Sequence, residues 1–331
     1  MIKLSVAIVA LNEEKFLPSL FEDLLSQTYN HSFIEILLID GGSNDKTKII
    51  MDEFAMKYEK HFNKVSVLNN PDKIQAAGWN VAIRNYGGDA LARIDAHSRI
   101  DKYFCEKVVE NLNNDEFVVG GQRPSIVEND TKWSKTMLQV ESSLFGSNIL
   151  KSRRSTKKQY VKTMFHATYR REVLDSVGYF NENLLRTEDN EFHYRIRKQG
   201  YKLCYDPDII SYQYIRGSFK QMIKQKSGNG FWIGETIKFC PRCISIYHLI
   251  PFFFVICLFA FLVLIPFGLW YLSVALLGLY FLFAVTNTIF SGIKKGFYLY
   301  HFIMPFIFFV LHISYGVGTL LGLIKIIKRK K

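Results

Sequence analysis

The sequence predicts an α/β domain, a mostly parallel, Rossmann-like sheet flanked by helices, followed by a C-terminal α-helical transmembrane region. Three observations carry this. Short apolar runs alternate with helical patterns from Leu4 to Gly121. Charges nearly balance over the first 235 residues, with 33 basic and 30 acidic groups. Thr236 to Lys331 then hold nine Lys/Arg and no Asp or Glu, and nothing between Cys243 and Lys294 is charged.

The net charge of +12 therefore belongs to a hydrophobic tail. Basic residues flanking apolar segments mark a bilayer-inserted region rather than a nucleic-acid surface, so no nucleic-acid partner is expected. Met1 to Leu11 runs straight into polar Asn12-Glu-Glu-Lys and is too short an apolar run to span a membrane, so no signal peptide is expected there. The N-terminal part is expected to stay in the cytosol. Five scattered cysteines fit a reducing compartment. Cys240-Pro-Arg-Cys243 has metal-site spacing but no second pair.

Leu4 to Ala10 reads as a buried strand. Asn12-Glu-Glu opens a helical pattern through Leu17, Leu20, Leu24 and Leu25. Phe33 to Asp40 is a second strand, and Gly41-Gly-Ser-Asn-Asp-Lys-Thr a turn with helix-starting residues. A helix through Ile49, Ile50, Phe54 and Tyr58 follows, then a strand at Val65 to Leu68 and a helix from Ala76 to Tyr86. Ala90 to Asp95 is strand four, Lys102 to Leu112 a helix and Phe117 to Gly121 strand five. This alternation means βαβ units.

In such sheets ligands sit beyond the carboxyl ends of the strands. There the sequence puts Asn12 and Glu13, then Asp40, then Asp95 and His97. No G-x-G-x-x-G follows strand one, which disfavours a dehydrogenase. Asp40 suits either a base edge or ribose hydroxyls, or capping of the next turn. Asp95 and His97, two apart in an extended chain, point the same way and suit either a shared divalent cation or a turn.

Lys151 to Lys158 is a polar, basic loop, either ordering over a diphosphate or simply solvated. Thr187 to Gly200 reads as one helix with Glu188, Asp189 and Glu191 in its first turn. The macrodipole favours ionised carboxylates there, which suits a general base and equally suits capping.

Taken together, Val6-Ala-Ile-Val-Ala-Leu-Asn-Glu-Glu, Ile39-Asp-Gly-Gly-Ser-Asn-Asp-Lys-Thr, Arg93-Ile-Asp-Ala-His and Thr187-Glu-Asp resemble the family 2 glycosyltransferases of the GT-A fold. Val119-Gly-Gly and Tyr169-Arg-Arg followed by Val177-Gly narrow the resemblance to the succinoglycan-type exopolysaccharide branch. It covers about residues 4 to 235. It implies a nucleotide-sugar donor, a divalent cation (Mn²⁺ or Mg²⁺) and an inverting single displacement. By position, Asn12, Glu13, Asp40 and Asp95 would bind the donor. Asp95 matches the first aspartate of the family's D-x-D motif, and His97 replaces the second. Asp189 would be the base, with Glu188 beside it.

A cation would stabilise the diphosphate leaving group, and an ionised carboxylate would take the acceptor's proton. His97 in place of a hard oxygen ligand would tilt preference toward Mn²⁺, or would contact phosphate instead. Gln213-Tyr-Ile-Arg216-Gly lacks the tryptophan of the Q-x-x-R-W signature of processive synthases, so single-sugar addition is expected. His166, Arg170, Arg171 and Arg216 are candidates for the acceptor side, or for packing and surface charge.

The expected division is a cytosolic catalytic domain over 1–235, an interfacial segment over 218–243 closing it, and a membrane region over 244–331. Leu249 to Ile265, Leu269 to Ile289 and Phe297 to Ile324 are each long enough to span. Three crossings would put the basic C-terminus outside, against the positive-inside rule. The third segment therefore either crosses, re-enters near Pro305 or lies at the interface. Phe219 to Phe239 mixes basic and aromatic residues, as surface-lying helices do. That suggests a polyprenyl-diphosphate-linked glycan as acceptor. The bare polyprenyl phosphate as acceptor, or a non-catalytic membrane scaffold, are the alternatives.

Overall fold

The computed structural model describes residues 1–146 and 155–329, with side chains to residue 327. Lys151 to Arg154 of the basic loop lie outside the described residues. The chain forms two compact units, Met1–Pro124 with Ser152–Gln213, and Ser125–Lys151 with Tyr214–Lys331. The compact units do not follow a cut near residue 235, because the stretch from Ser125 joins the unit that carries the apolar helices.

The first unit starts as the alternation of β1 (Leu4–Ala10), α1 (Leu17–Leu25), β2 (Ile34–Asp40), α2 (Thr47–Tyr58), β3 (Lys64–Asn69), α3 (Gln75–Asn85) and β4 (Ala90–Asp95). Strands β3-β2-β1-β4 are parallel neighbours. β5 (Ser98–Ile100), α4 (Phe104–Asn113) and β6 (Val118–Gln122) follow. The two-residue β7 (Ser125–Ile126) and α5 (Lys132–Ser142) open the second unit. The chain returns with β8 (Gln159–Val161), β9 (Thr168–Arg170), α6 (Arg171–Val177), α7 (Glu188–Lys198) and the long β10 (Leu203–Tyr214).

The sheet continues β4-β9-β6-β10-β5, with β8 also on β10. β9 runs antiparallel between β4 and β6, which makes the sheet mixed rather than wholly parallel. Successive residues of the central strands face opposite sides. Val6, Ile8, Ile36 and Ile94 meet Leu20, Met51 and Val108 of α1, α2 and α4 on one face. Ala7, Leu37 and Leu91 meet Trp79, Val173 and Phe192 of α3, α6 and α7 on the other.

The second unit holds α8 (Phe219–Phe239), α9 (Ile250–Val263), α10 (Trp270–Lys295) and α11 (Met304–Arg329). Among the described residues three helices are long and apolar enough to cross a membrane, Ile246–Val263, Trp270–Lys295 and Leu299–Ile327. Pro305 lies in the first turn of α11, where its missing N–H costs no hydrogen bond, and the helix runs on unbroken. Helix α8 packs along α11 through glycines: a methyl at Gly230 would strike the Tyr315 carbonyl, and one at Gly318 the Ser227 carbonyl. Small residues let helix backbones approach this closely.

Candidate active site

The loops after β1 and β2 are stapled to each other. Asn12 N–H donates to Ser43 Oγ (2.9 Å) and Asn12 Oδ1 accepts from Asn44 N–H (2.8 Å). Glu13 N–H donates to Thr47 Oγ1 (2.7 Å). Asp40 accepts from Gly42 N–H (3.1 Å) and Ser43 N–H (3.2 Å). Of the two roles open to Asp40, the structure displays the turn-closing one. Lys73, which the sequence did not single out, brings its side chain against Gly42.

Asp95 ends β4, and His97 follows in a turn rather than in the strand, so the alternation argument does not apply to this pair. The turn still brings His97 near Asp95. His97 Nδ1 lies 3.3 Å from Glu13 Oε1, and its Nε2 3.3 Å from Gln213 Nε2. Asp95 Oδ1 accepts from Gln75 Nε2 (3.0 Å), and Oδ2 lies 3.5 Å from Arg123 and 3.3 Å from His166 Nε2. Burial alone would raise the Asp95 carboxyl. The His166 hydrogen bond and the nearby His97 and Arg123 reverse that and hold it well below the usual carboxylate range. Burial lowers His166, opposed by Asp95.

The antiparallel β9 decides two acceptor candidates. Thr168 pairs with Ala92, which carries His166 to the level of Asp95. His166 is buried there, with Nδ1 on Ser211 Oγ (2.8 Å), so it supports Asp95 rather than lining an acceptor surface. Arg170 pairs with Ala90, five residues before Asp95 and so about 16 Å away along the strand. Its Nε donates to the Glu116 carbonyl (3.0 Å) and its Nη2 to the Leu112 carbonyl, at the end of α4. Lone carbonyls at a helix C-terminus need such donors. Arg170 therefore caps the end of α4 in this fold. Arg171 likewise donates to the Tyr86 carbonyl (3.4 Å). Arg216 falls in the second unit, half-exposed.

Glu188 and Asp189 begin α7. Thr187 before them adopts φ +66°, a left-handed conformation costing a non-glycine residue roughly 1–2 kcal/mol. Asn12 (φ +57°) and His166 (φ +45°) share that conformation. Glu188 is buried and Asp189 half-buried, with Asp189 Oδ1 accepting from Asn190 N–H (2.9 Å). Burial pushes Glu188 up to about 8, Asp189 adds to the rise and Arg93 opposes it. The helix-start expectation of an ionised carboxylate does not hold for Glu188: desolvation outweighs the macrodipole.

Among the described residues no group of three His, Cys, Asp or Glu is arranged to hold a metal alone. Asp95 and His97 offer one oxygen and one nitrogen donor, types that a first-row divalent cation accepts.

Polar groups thus gather beyond β1 and β4 of a mixed sheet, with a carboxylate pair at the start of α7. The family profile described as "Glycosyl transferase family 2" matches residues 5–178, and the chain belongs to that family. A relative from Methanococcus voltae, dolichyl N-acetyl-alpha-D-glucosaminyl phosphate 3-beta-D-2,3-diacetamido-2,3-dideoxy-beta-D-glucuronosyltransferase, is 28% identical over 97% of both chains. Succinoglycan biosynthesis protein ExoA of Rhizobium meliloti (strain 1021) is 28% identical over 68% of this chain and 67% of its own. In fold the chain is similar to the mannosyltransferase PcManGT from Pyrobaculum calidifontis, solved with GDP-Man and Mn²⁺, at TM-score 0.61 and 15% identity over 96% of this chain and 87% of that one. The chain is a glycosyltransferase.

Proposed function

We propose that this enzyme adds one sugar, with inversion, from a nucleotide sugar to a lipid-linked glycan at the cytoplasmic membrane, its first unit on the cytosolic side. The observation that carries the reading is the M. voltae alignment, which runs through the apolar helices as well as the site. A UDP-sugar is the expected donor, held by Asn12, Glu13, Asp40 and Asp95. Mn²⁺ or Mg²⁺ would be held by Asp95 and His97 and would supply Lewis-acid stabilisation of the departing diphosphate.

The chain's own groups account for the rest. Asp189 accepts the acceptor hydroxyl's proton as that oxygen attacks the anomeric carbon. The carbon–oxygen bond to the β-phosphate breaks as the new glycosidic bond forms, and the nucleoside diphosphate leaves with the electron pair. Glu188, holding a proton, leaves the negative charge to Asp189. The acceptor is a polyprenyl-diphosphate-linked glycan; the apolar helices and the relative's name support a lipid-linked sugar acceptor, the name itself printing a single phosphate.

The test offers membranes containing the full chain a panel of labelled UDP- and GDP-sugars with Mn²⁺. Parallel reactions add the bare polyprenyl phosphate or a polyprenyl-diphosphate glycan. Label entering the lipid fraction with the glycan alone supports the proposal. Transfer to the bare lipid makes the enzyme a lipid-charging one. Failure to consume or bind any donor would leave a membrane scaffold.

A further inference from the structure

The guanidinium of Arg93 is buried one alternation below Asp95 on β4, on the face covered by α3 and α7. Its centre lies 4.7 Å from the Trp79 ring and 4.7 Å from the Phe180 ring, so two aromatic faces clamp it. Nη2 lies 4.0 Å from Glu188 Oε1, and Nη1 donates to Tyr169 Oη (3.3 Å). Nε has no hydrogen-bond partner among the described residues, nor has Trp79 Nε1 beside it.

A buried cation this sparsely satisfied is costly unless its charge is used. Its surroundings indicate the use. Arg93 can only donate, so Tyr169 O–H is left to donate to His193 Nε2 (2.8 Å), and His193 Nδ1 meets Thr163 Oγ1 (3.1 Å). Burial lowers His193 well below its ordinary value, which leaves it uncharged. The charged and titratable groups around the start of α7 are thus Arg93 and Asp95 from β4, Tyr169 from β9, and Glu188, Asp189, His193 and Arg197 from α7 itself. α3 contributes the Trp79 ring, and the chain before α7 the Phe180 ring. Arg93 lies 4.0 Å from Glu188, and it comes from the strand that ends in the donor-side aspartate.

We infer that Arg93 is a positioning residue for the base: clamped by Trp79 and Phe180, it lies against the protonated Glu188 and holds the first turn of α7 from which Asp189 projects. It touches no substrate. It links the strand end holding Asp95 to the helix start holding Asp189, so the donor and proton-accepting ends of the site are set by one rigid side chain. The inference rests on the proposed role of Asp189.

The full-length enzyme in membranes is assayed for kcat across pH with the donor identified in the panel, and UDP with Mn²⁺ serves as the binding probe. Arg93→Met is expected to lower kcat roughly 10²-fold, as a misaligned catalytic group does. The acid limb of the kcat profile is expected to move up by about one pH unit, because a cation beside the carboxylates is gone. UDP affinity should stay within about twofold. Arg93→Lys should return the limb toward its original position and restore kcat only in part, since lysine keeps the charge without the planar fork. A limb that stays in place in Arg93→Met, or UDP binding that falls in step with kcat, overturns the inference and leaves Arg93 a packing residue. If Arg93→Met yields no folded protein, Phe180→Leu loosens the clamp without touching the charge. It should lower kcat and broaden or move the limb, and a change in melting temperature alone would refute the inference. Asp189→Asn run in parallel separates the two claims. Inactive Asp189→Asn with an unmoved Arg93→Met limb sinks only the positioning role, whereas active Asp189→Asn sinks the base.

Discussion

His166 Nε2 lies 3.3 Å from Asp95 Oδ2, across 71 residues of chain and between antiparallel strands. It also lies 3.3 Å from the Asp95 amide nitrogen, so Nε2 serves the carboxylate when it carries a proton and the backbone N–H when it does not. This contact favours the charged form of a half-buried aspartate, and it comes from a residue the chain order places far away.

Loss of that contact should be felt in donor binding. His166→Ala removes a hydrogen bond to a buried charge, worth roughly 1.5–3 kcal/mol. UDP binding with Mn²⁺, measured by calorimetry, should weaken by about ten- to a hundredfold. Unchanged binding would show that Asp95 holds its position without His166.

Asp189→Asn keeps the size of the side chain and removes its ability to take a proton. Transfer should drop by roughly 10²–10⁴-fold, as for loss of a general base. UDP binding should persist, because no donor-side residue changes. Parallel loss of both would place Asp189 in the nucleotide site instead.

Glu188 ties stability to pH, with a definite sign. Its ordinary value is 4.5 and the folded chain raises it to about 8. The protonated form is therefore favoured in the folded state. Its contribution is full below the unfolded value and is lost as pH rises through the folded one. Glu188→Gln stays neutral throughout. The melting temperature of Glu188→Gln relative to the native chain should rise between about pH 5 and about pH 9. A constant difference across that window would show that Arg93 keeps Glu188 ionised.

Arg170→Met separates a capping role from an acceptor role. Removing a cap from buried helix-end carbonyls should cost roughly 1–3 kcal/mol of stability. The KM for the glycan acceptor should not change in the protein that remains folded. A raised acceptor KM would return Arg170 to the substrate.

His97→Asp replaces an imidazole with a hard oxygen ligand. The ratio of activity with Mg²⁺ to activity with Mn²⁺ should rise, since carboxylates suit Mg²⁺ better than imidazole does. An unchanged ratio would assign His97 to phosphate, or to its contacts with Glu13 and Gln213.

Much of the architecture was legible because it rests on local pattern. The apolar runs at Leu4 to Ala10 and Ala90 to Asp95 became β1 and β4, and the 3.6-residue period of Leu17, Leu20 and Leu24 became α1. Glycine at Gly200 and the acidic first turn framed α7 to within a residue. The strands β8 and β9 were missed because three residues each leave no period to read. The place of Arg170 was hidden for the same reason, since only the register of β9 sends His166 toward Asp95 and Arg170 the opposite way.

By itself the sequence determined the order of the elements, the family and the apolar tail, because each follows from spacing along the chain. Only the tertiary structure decided which polar groups meet. Asp95 acquires His166 and Arg123, Glu188 acquires Arg93, and Glu188 gains its proton, through strand pairing and burial between residues distant in the chain. Desolvation and long-range pairing have no local signature, so the chemistry of this site is fixed by how the sheet closes around it.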